Sequence, residues 1–425
     1  MISKITYKKV VFPILLAVIL TGFILFIVLG TVKVYAQELS KGVKPQKIGV
    51  ETLSDDFIHA TSELSISLFK NSLSQTGNSL ISPVSVALAL GMTANGADGN
   101  TLKQFNKLLG GDALSMEQLN KFYYSMSSEL QKDKSNKINL ANSIWYRNDK
   151  SLKINTAFLQ SNANYYKAAA YKADFSSKKT VTDINNWVKS NTGGLIDKIV
   201  DKIDKDTVMY LFNTVLFDAQ WEKTYYTNAI HNDSFLIAEK NYVSVPFMHS
   251  NESYISDGKA EGFIKPYKGD KYSYVAILPN EGTTLGEYVN SLDGKSFLKL
   301  LESRSDEYAA IGFPKYKFDY SISLVEPLIN LGFTDGFSPE KANFKKMATV
   351  TGENIFIGDV LHKTYIQVDE MGTKAGAVTQ VTMMTGAMQE PTRKLTFNRP
   401  FVFAIIDNGT RLPLFIGTVT DPSRG

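Results

Sequence analysis

The sequence predicts a single mixed α+β domain that occupies residues 51–425. Along this range, segments with apolar residues at helical spacing are interleaved with segments that alternate as strands do. No internal repeat, low-complexity block or linker interrupts it. Length alone would suggest two or three domains in a chain of 425 residues, so the unbroken pattern is what favours one domain.

The helices are predicted by spacing and by a start signal. One helical face carries Leu53, Phe57, Ala60, Leu64 and Leu68. Ser82 followed by Pro83 is typical of a helix start, and the segment up to Ala94 is apolar enough to be buried. Residues 184–188 and 324–331 have shorter helical patterns.

Six segments have the alternating or continuous apolar pattern of strands. They are residues 138–146, 207–217, 274–278, 311–318, 401–406 and 414–419. Asp407-Asn408-Gly409-Thr410 joins the last two and is typical of a hairpin turn. We therefore expect the chain to end in an antiparallel strand pair.

The N-terminal 36 residues resemble an export signal. Lysines at positions 4, 8 and 9 precede an apolar run over residues 10–32, and Val34-Tyr35-Ala36 has the small-residue pattern that signal peptidase cleaves. The run is also long enough to span a bilayer, so residues 1–36 are a signal peptide or a membrane anchor. We favour cleavage after Ala36 and a secreted, extracellular protein. Without cleavage, residues 10–32 would anchor it at the cell surface.

Residues 37–50 form a polar extension before the domain. Gly42, Pro45 and Gly49 interrupt regular structure there. The segment fits a disordered linker and also a docked extension. We regard the linker as the simpler interpretation.

The charge balance gives no reason to expect a nucleic-acid partner. Of 46 basic residues, four lysines lie in residues 1–36, which contain no acid, so 42 basic residues face 42 acidic ones in the remainder. The chain has no cysteine, which excludes disulfides and thiolate chemistry. We expect no cofactor or metal.

No motif for catalysis is present. The four histidines, at positions 59, 231, 249 and 362, are scattered, whereas a metal site needs clustered ligands. The sequence lacks a GxSxG elbow, an HExxH helix and a phosphate-binding loop. Sequence spacing does not exclude a Ser/His/Asp triad, but nothing marks a serine as activated.

The segment VDEMGTKAGAVTQVTMMTGAMQEP, residues 368–391, combines features of a strand and of an exposed loop. It is glycine-punctuated and lacks proline before Pro391. Every second residue from Thr373 is small or apolar: Thr373, Ala375, Ala377, Thr379, Val381 and Met383. That period predicts a strand with one face suited to burial. An ordinary edge strand would show the same pattern.

Seven segments in order resemble the serpin family across about residues 50–425. They are NSLISPVSVALAL (78–90), INLANSIWY (138–146), INNWVKSNTGGLIDKIV (184–200), TVMYLFNTVLFDAQWEKTY (207–225), HKTYIQVDEMGTKAGA (362–377), FNRPFVFAI (397–405) and LPLFIGTVTDP (412–422). The resemblance implies a monomeric single domain of three β-sheets and about nine helices. It also implies an exposed reactive-centre loop over about residues 371–394.

The resemblance further implies roles for individual residues. The shutter beneath the central sheet would contain Ser82, Ser85, Asn213 and His362, and Trp221 would lie at the breach, where the loop enters. The hinge of the loop would contain Glu370, Gly372, Thr373, Ala375, Ala377 and Thr379. Met371 and Lys374 depart from the family pattern at positions that we expect to point outward.

The activity implied is that of an exported bacterial inhibitor, not an enzyme. A target protease would cleave the loop, and the freed segment would insert into the central sheet before the acyl-enzyme hydrolyses. Counting residues from Gly372 as in other serpins places the cleaved bond at Gly386–Ala387. The segment from Gly372 to Phe401 is longer than is usual in the family, so the position of the cleaved bond is left open between residues 384 and 389.

The loop sequence also restricts the target. No Lys or Arg occurs between Lys374 and Arg393, which disfavours a trypsin-like protease. Elastase-, chymotrypsin- or subtilisin-like proteases fit the small and Met side chains, as does a papain-like cysteine protease. The alternatives are a non-inhibitory serpin that acts as a binding module or protease substrate, and a serine hydrolase.

Overall fold

The computed structural model describes residues 33–133, 135–205, 207–238, 240–305, 307–352, 354–373, 391 and 393–424. The predicted apolar run up to residue 32 and most of the predicted loop lie outside them. Of the predicted site residues, the same applies to Ala375, Ala377, Thr379, Gly386 and Ala387. In the part of the chain that is described, no helix is long and apolar enough to cross a bilayer.

The described residues form nine α-helices, and most of them begin at a polar cap residue. The helices are α1 Asp55–Asn71, α2 Pro83–Ala94, α3 Gly99–Gly110, α4 Met116–Gln131, α5 Thr156–Tyr165, α6 Lys178–Asn191, α7 Leu285–Ser291, α8 Gly294–Glu302 and α9 Val325–Asn330. Ser54 accepts a hydrogen bond from the Phe57 N–H, and Ser115 and Thr284 form capping boxes. These contacts satisfy backbone groups that a helix start leaves unpaired.

The strands of the described chain form three sheets. The strands are β1 Gln37–Glu38, β2 Ser79–Ile81, β3 Lys137–Arg147, β4 Lys153–Ile154, β5 Ala169–Ala173, β6 Met209–Gln220, β7 Ile230–Ala238, β8 Asn241–Ser256, β9 Ala260–Pro266, β10 Tyr272–Pro279, β11 Tyr308–Pro314, β12 Tyr316–Ser323, β13 Ala348–Thr349, β14 Ile357–Val368, β15 Gly372–Thr373, β16 Arg393–Thr396, β17 Phe401–Asp407 and β18 Pro413–Val419. Seven strands pair in the order β1-β5-β3-β6-β15-β14-β12, and β4 pairs with β13.

The third sheet has nine strands. Its order is β16-β11-β8-β9-β10-β17-β18-β2, with β7 paired to β8. The predicted terminal hairpin is its β17–β18 pair, in which Phe401 lies opposite Val419. The prediction of a mixed α+β fold with three sheets is confirmed.

Helix α2 lies between the two large sheets. All twelve of its residues are buried, and it contacts β3 and β6 of one sheet and β18 of the other. A helix that is apolar on every side requires such a position. The predicted burial of residues 83–94 is thereby confirmed.

The alternating segment over residues 311–318 belongs to two strands. Strand β11 ends at Pro314 in the nine-stranded sheet, and β12 begins at Tyr316 in the seven-stranded sheet. The apolar alternation continues across both strands because each has one face in the core that the two sheets share. Alternation alone therefore could not show that the chain changes sheets.

The extension over residues 37–50 lies along the body of the molecule. Strand β1 pairs antiparallel with β5 at the sheet edge, and the Leu39 N–H donates to the Ala170 carbonyl at 2.7 Å. Further along, the Gln46 N–H donates to Asn164 Oδ1 at 2.8 Å. These contacts favour the docked interpretation over the linker.

Candidate functional site at the open end of the seven-stranded sheet

Strands β6 and β14 are in contact at one end and separated at the other. They pair in parallel register from Met209 to Thr214 of β6, opposite Ile357 to Lys363 of β14. Beyond Thr214, the described strands show no further pairing between the two. On its other side β6 stays paired with β3 as far as Asp218. The sheet is thus fully paired at one end, here called the zipped end. At the other end, here called the open end, it has a gap between β6 and β14.

Strand β15 occupies the mouth of this gap. Gly372 and Thr373 pair antiparallel with Gln220 and Ala219 of β6, and Thr373 also lies opposite Val368 of β14. A Cβ on Gly372 would lie 2.1 Å from the Ala219 carbonyl oxygen. Only glycine therefore fits this approach of two backbones.

Thr373 points into the core beneath the gap. It is 2% exposed, and its hydroxyl lies 2.5 Å from the hydroxyl of Tyr267. The Tyr267 ring stacks on Trp221 with centroids 4.6 Å apart. Tyr267 is a contact that the sequence analysis missed, because no motif links it to the predicted hinge.

A tight turn connects β14 to β15. The carboxylate of Asp369 accepts from the N–H groups of Met371 at 2.9 Å and Gly372 at 3.3 Å. The Asp369 N–H in turn donates to the Gly372 carbonyl at 3.0 Å. An Asp side chain that bonds to the backbone two residues ahead stabilises such turns, so the predicted hinge begins from a defined geometry.

Trp221 holds this turn from the side of β6. Its backbone N–H donates to the Met371 carbonyl at 3.0 Å, and its indole Nε1–H donates to the Asp369 carbonyl at 2.8 Å. The side chain is 1% exposed. The structure thus brings the predicted breach residue Trp221 into direct contact with the predicted hinge.

Glu370 attaches the turn to the residue between β11 and β12 and to the segment after β6. Its carboxylate forms an ion pair with Lys315, and its carbonyl accepts from the Tyr225 N–H at 3.0 Å. Burial opposes ionisation of Glu370, but the hydrogen bond and charge of Lys315 outweigh it, and the pKa of Glu370 is lowered.

A buried ion pair lies under the same end of the sheet. The Lys265 ammonium is 2.5 Å from a Glu252 carboxylate oxygen, and both side chains are less than 10% exposed. The ammonium also lies 4.4 Å from the ring centroid of Tyr225. A cation over an aromatic ring is stabilised by the ring's negative face, so this pair helps to position the segment that contacts Glu370.

The zipped end contains the four predicted shutter residues, with Asn213 at their centre. The side-chain nitrogen of Asn213 donates to the Ser85 carbonyl at 2.8 Å and the Ser85 hydroxyl at 2.5 Å. It also donates to Asn142 Oδ1 at 2.6 Å. Its own Oδ1 lies 2.8 Å from Nδ1 of His362. These hydrogen bonds join β3, β6 and β14 to helix α2.

His362 completes this cluster in a single neutral form. Its Nε2 lies 3.0 Å from the Ser82 N–H, which can only donate. The ring proton is therefore on Nδ1 and is donated to Asn213. Burial lowers the pKa of His362 to about 3, so the ring is neutral near pH 7 and has a structural role.

Two details of the cluster go beyond the prediction. Ser82 takes part through its N–H, and its buried hydroxyl has no hydrogen-bond partner among the described residues. Asn142 was missed, although it lies directly opposite Asn213 in the β3–β6 register. A polar residue inside the apolar strand 138–146 was the signal that could have indicated it. Within the described chain, no group of three His, Asp or Glu side chains is arranged to hold a metal ion.

The family model for "Serpin (serine protease inhibitor)" matches residues 59–422 of this chain. The chain belongs to the serpin family. Leukocyte elastase inhibitor A of Mus musculus is 30% identical over 367 residues, which cover 83% of this chain and 95% of that protein. Antithrombin-III of Homo sapiens is 28% identical and is covered to 78% of its length, with 83% of this chain. Serpins are protease inhibitors, and most are not catalytic enzymes.

Solved serpin structures allow the conformation of this chain to be compared as well as its fold. The thermophilic serpin tengpin in its native state is 45% identical, covers 91% of this chain and 99% of its own, and gives a TM-score of 0.86. The same protein in its latent state is 47% identical, covers 87% and 99%, and gives 0.77. Because the two identities are nearly equal, the higher score reflects a conformation closer to the native state.

Proposed function

We propose that this serpin is a suicide-substrate inhibitor of serine endopeptidases, with cysteine endopeptidases as a further target class. The gap between β6 and β14, with β15 at its mouth, is the observation that carries the proposal. A strand added there would pair with β6 on one side and β14 on the other. The chain that follows Thr373 is the natural donor, since Gly372 and Thr373 already occupy the first two positions.

The residues after Thr373 suit this insertion. Ala375, Ala377 and Thr379 alternate in sequence with Lys374, Gly376 and Val378 and would follow Thr373 on the buried face. Their small side chains would enter a packed core without displacing neighbours. Each net ladder hydrogen bond contributes about 1 kcal/mol, so a strand of about a dozen residues gains on the order of 10 kcal/mol.

This gain explains how a substrate becomes an inhibitor. A protease that cleaves the loop is held as an acyl-enzyme on the segment that inserts, and insertion carries it away from its starting position. The energy released distorts the protease before water completes the reaction. A loop that is inserted into a sheet to release stored strain is a known conformational switch.

The proposed cut is Gly386–Ala387, within residues 384–389. Small and Met side chains around it suit elastase-, chymotrypsin- or subtilisin-like proteases, and a papain-like protease is also accommodated. We further propose that residues 1–36 export the protein, which would then meet such proteases outside the cell.

Incubation with an elastase-like and a subtilisin-like protease tests the inhibitory function. We expect a covalent complex that survives SDS, together with a released C-terminal fragment whose mass identifies the cleaved bond. The control is each protease with its active-site serine blocked, which should form no such complex.

Two other results would contradict the proposal. Cleavage without a complex would indicate a substrate or a binding module, the non-inhibitory alternative. Hydrolysis of an ester by the serpin alone would indicate an enzyme.

A further inference from the structure

A cavity of about 570 Å³ lies on the side of the nine-stranded sheet, away from the β6–β14 gap. Its walls are the paired start of β9 and end of β10 on one side, and strand β16 with the residues after it on the other. The lining is mostly polar, and its two apolar residues, Leu278 and Leu395, are almost fully buried. The volume lies within the range of small-molecule sites.

Four charged side chains line this cavity, two of each sign. Glu261 and Glu281 come from the β9–β10 wall, and Lys394 and Arg399 come from the β16 wall. Elsewhere on the surface opposite charges meet directly, as Arg411 and Glu302 do at 2.7 Å. In the part of the chain that is described, none of the four cavity residues has an ion-pair partner within 4 Å. The two pairs therefore face one cavity without direct contact, although Glu281 and Glu261 are close enough to Arg399 to stabilise its charge.

Neighbouring groups hold one acidic and one basic side chain of this cavity in place. Glu261 accepts a hydrogen bond from the Tyr254 hydroxyl at 2.7 Å. The half-buried Arg399 donates one hydrogen bond to the Pro279 carbonyl at 2.8 Å, which leaves further N–H donors of its guanidinium available. Burial lowers the pKa of Arg399, while the charges of Glu281 and Glu261 act in the opposite direction. The guanidinium nevertheless keeps its charge, because arginine does not deprotonate in proteins.

We infer that this cavity binds a small zwitterion, an α-amino acid or dipeptide, whose carboxylate contacts Arg399 and Lys394 and whose ammonium contacts Glu261 and Glu281. A guanidinium matches the planar geometry of a carboxylate. A simple anion would be repelled by the two glutamates, and a metal cation by the two basic residues. Only a ligand with both charges satisfies both walls.

Such a ligand would connect two strands that are not neighbours in the sheet. Strand β16 pairs only with β11 among the described strands, through the four residues Arg393–Thr396. A ligand held between Lys394 and Glu281 would tie β16 to the end of β10. The backbone amides of β16 should therefore exchange hydrogen more slowly when the ligand is bound.

The dipeptide Leu-Gly is the probe, tested by calorimetric titration of the full chain. N-acetyl-Leu-Gly lacks the ammonium, and Leu-Gly amide lacks the carboxylate. Because a hydrogen bond to a charged group contributes about 1.5–3 kcal/mol, blocking either end should weaken binding by about tenfold or more. No binding of Leu-Gly, or equal binding of all three peptides, would overturn the inference.

Two substitutions assign each end of the ligand to a wall. Arg399→Gln should reduce the preference for Leu-Gly over its amide, and Glu281→Gln should reduce the preference over the acetylated form. Lys394→Gln serves as a second test of the basic wall, since Arg399 also supports Pro279. The control is Lys295→Gln on the exposed surface of α8, which should change neither preference. Undiminished preferences in the cavity variants, or unchanged exchange in Arg393–Thr396, would place the ligand elsewhere and refute the site.

Discussion

The two ends of strand β6 differ in how completely their backbone and polar groups are hydrogen-bonded. From Met209 to Thr214 the strand is paired on both sides, and its buried polar side chain, Asn213, is bonded to three elements. From Val215 to Asp218 the described structure pairs it with β3 alone. The first end is complete without any further chain, whereas the second end is completed only at its mouth by Gly372 and Thr373.

One end of β6 therefore contributes to the stability of the intact protein, whereas the other end could gain stability from an added strand. At the zipped end, removal of any partner leaves a buried polar group unpaired. At the open end, addition of a strand would create new pairs. Changes at the two ends should therefore act in opposite directions on stability, and the following tests are ordered from the largest expected effect to the smallest.

A single cut in the predicted loop near Gly386 should stabilise the protein. It removes the tether that prevents the segment after Thr373 from filling the gap. A gain of about 10 kcal/mol should raise the melting temperature by roughly 10–15 °C in a domain of this size. Thermal melts of intact and nicked protein at equal concentration measure this, and an equal or lower melting temperature after nicking would mean that the open end does not accept the loop.

Thr373→Arg should block the open end. The buried position next to Tyr267 would receive a charge, which is strongly unfavourable without a partner, so insertion should be slower than hydrolysis of the acyl-enzyme. We expect cleavage by the target protease with most of the covalent complex lost. Thr76→Arg, at an exposed position, is the control, and normal inhibition by Thr373→Arg would contradict the proposed path of insertion.

Asn213→Ala should weaken the zipped end. It removes the acceptor of the His362 Nδ1–H and the donor to Ser85 and Asn142, so the free energy of unfolding should fall by about 3 kcal/mol. Asn232→Ala, on an exposed part of β7, should change it little. Urea unfolding measures both variants, and equal midpoints would show that the cluster does not stabilise the intact protein.

Lowering the pH should reduce the free energy of unfolding because His362 takes up a proton more readily in the unfolded chain. Its pKa is about 3 in the folded protein and about 6.5 when unfolded, so the unfolded chain binds the additional proton between these values. Stability is thus fully present above pH 6.5 and falls as the pH is lowered, by about 2 kcal/mol at pH 5. His362→Gln, which does not titrate, should lack this part of the pH dependence. Parallel pH profiles of the two proteins would exclude His362 as its source.

Glu370→Gln should have the smallest effect. The pair with Lys315 is about one third exposed on both sides, and such pairs contribute about 1 kcal/mol or less. The lowered pKa of Glu370 means that this contribution is present above the usual glutamate pKa and is lost as the pH falls below it. The difference between variant and wild type in urea midpoint should shrink at high salt, and a difference that is large and independent of salt would indicate a structural role.

Sequence motifs predicted which residues lie in these sites more accurately than which atoms and partners make the contacts. Ser85, Asn213 and His362 lie together as predicted, because the motif order carries the fold with it. Ser82 contributes its N–H instead of its hydroxyl, and Asn142 and Tyr267 were missed. Their roles depend on strand register and on contacts between distant segments, which local patterns do not contain.

The sequence by itself determined the mixed α+β class, the buried helix over residues 83–94 and the terminal hairpin, because each depends on apolar spacing within a few turns or strands. The tertiary structure alone decided that residues 311–318 divide between two sheets and that residues 37–50 lie against the body. It alone also decided that β6 and β14 separate beyond Thr214. A gap between strands is a property of two segments far apart in the chain, so no single stretch of sequence encodes it.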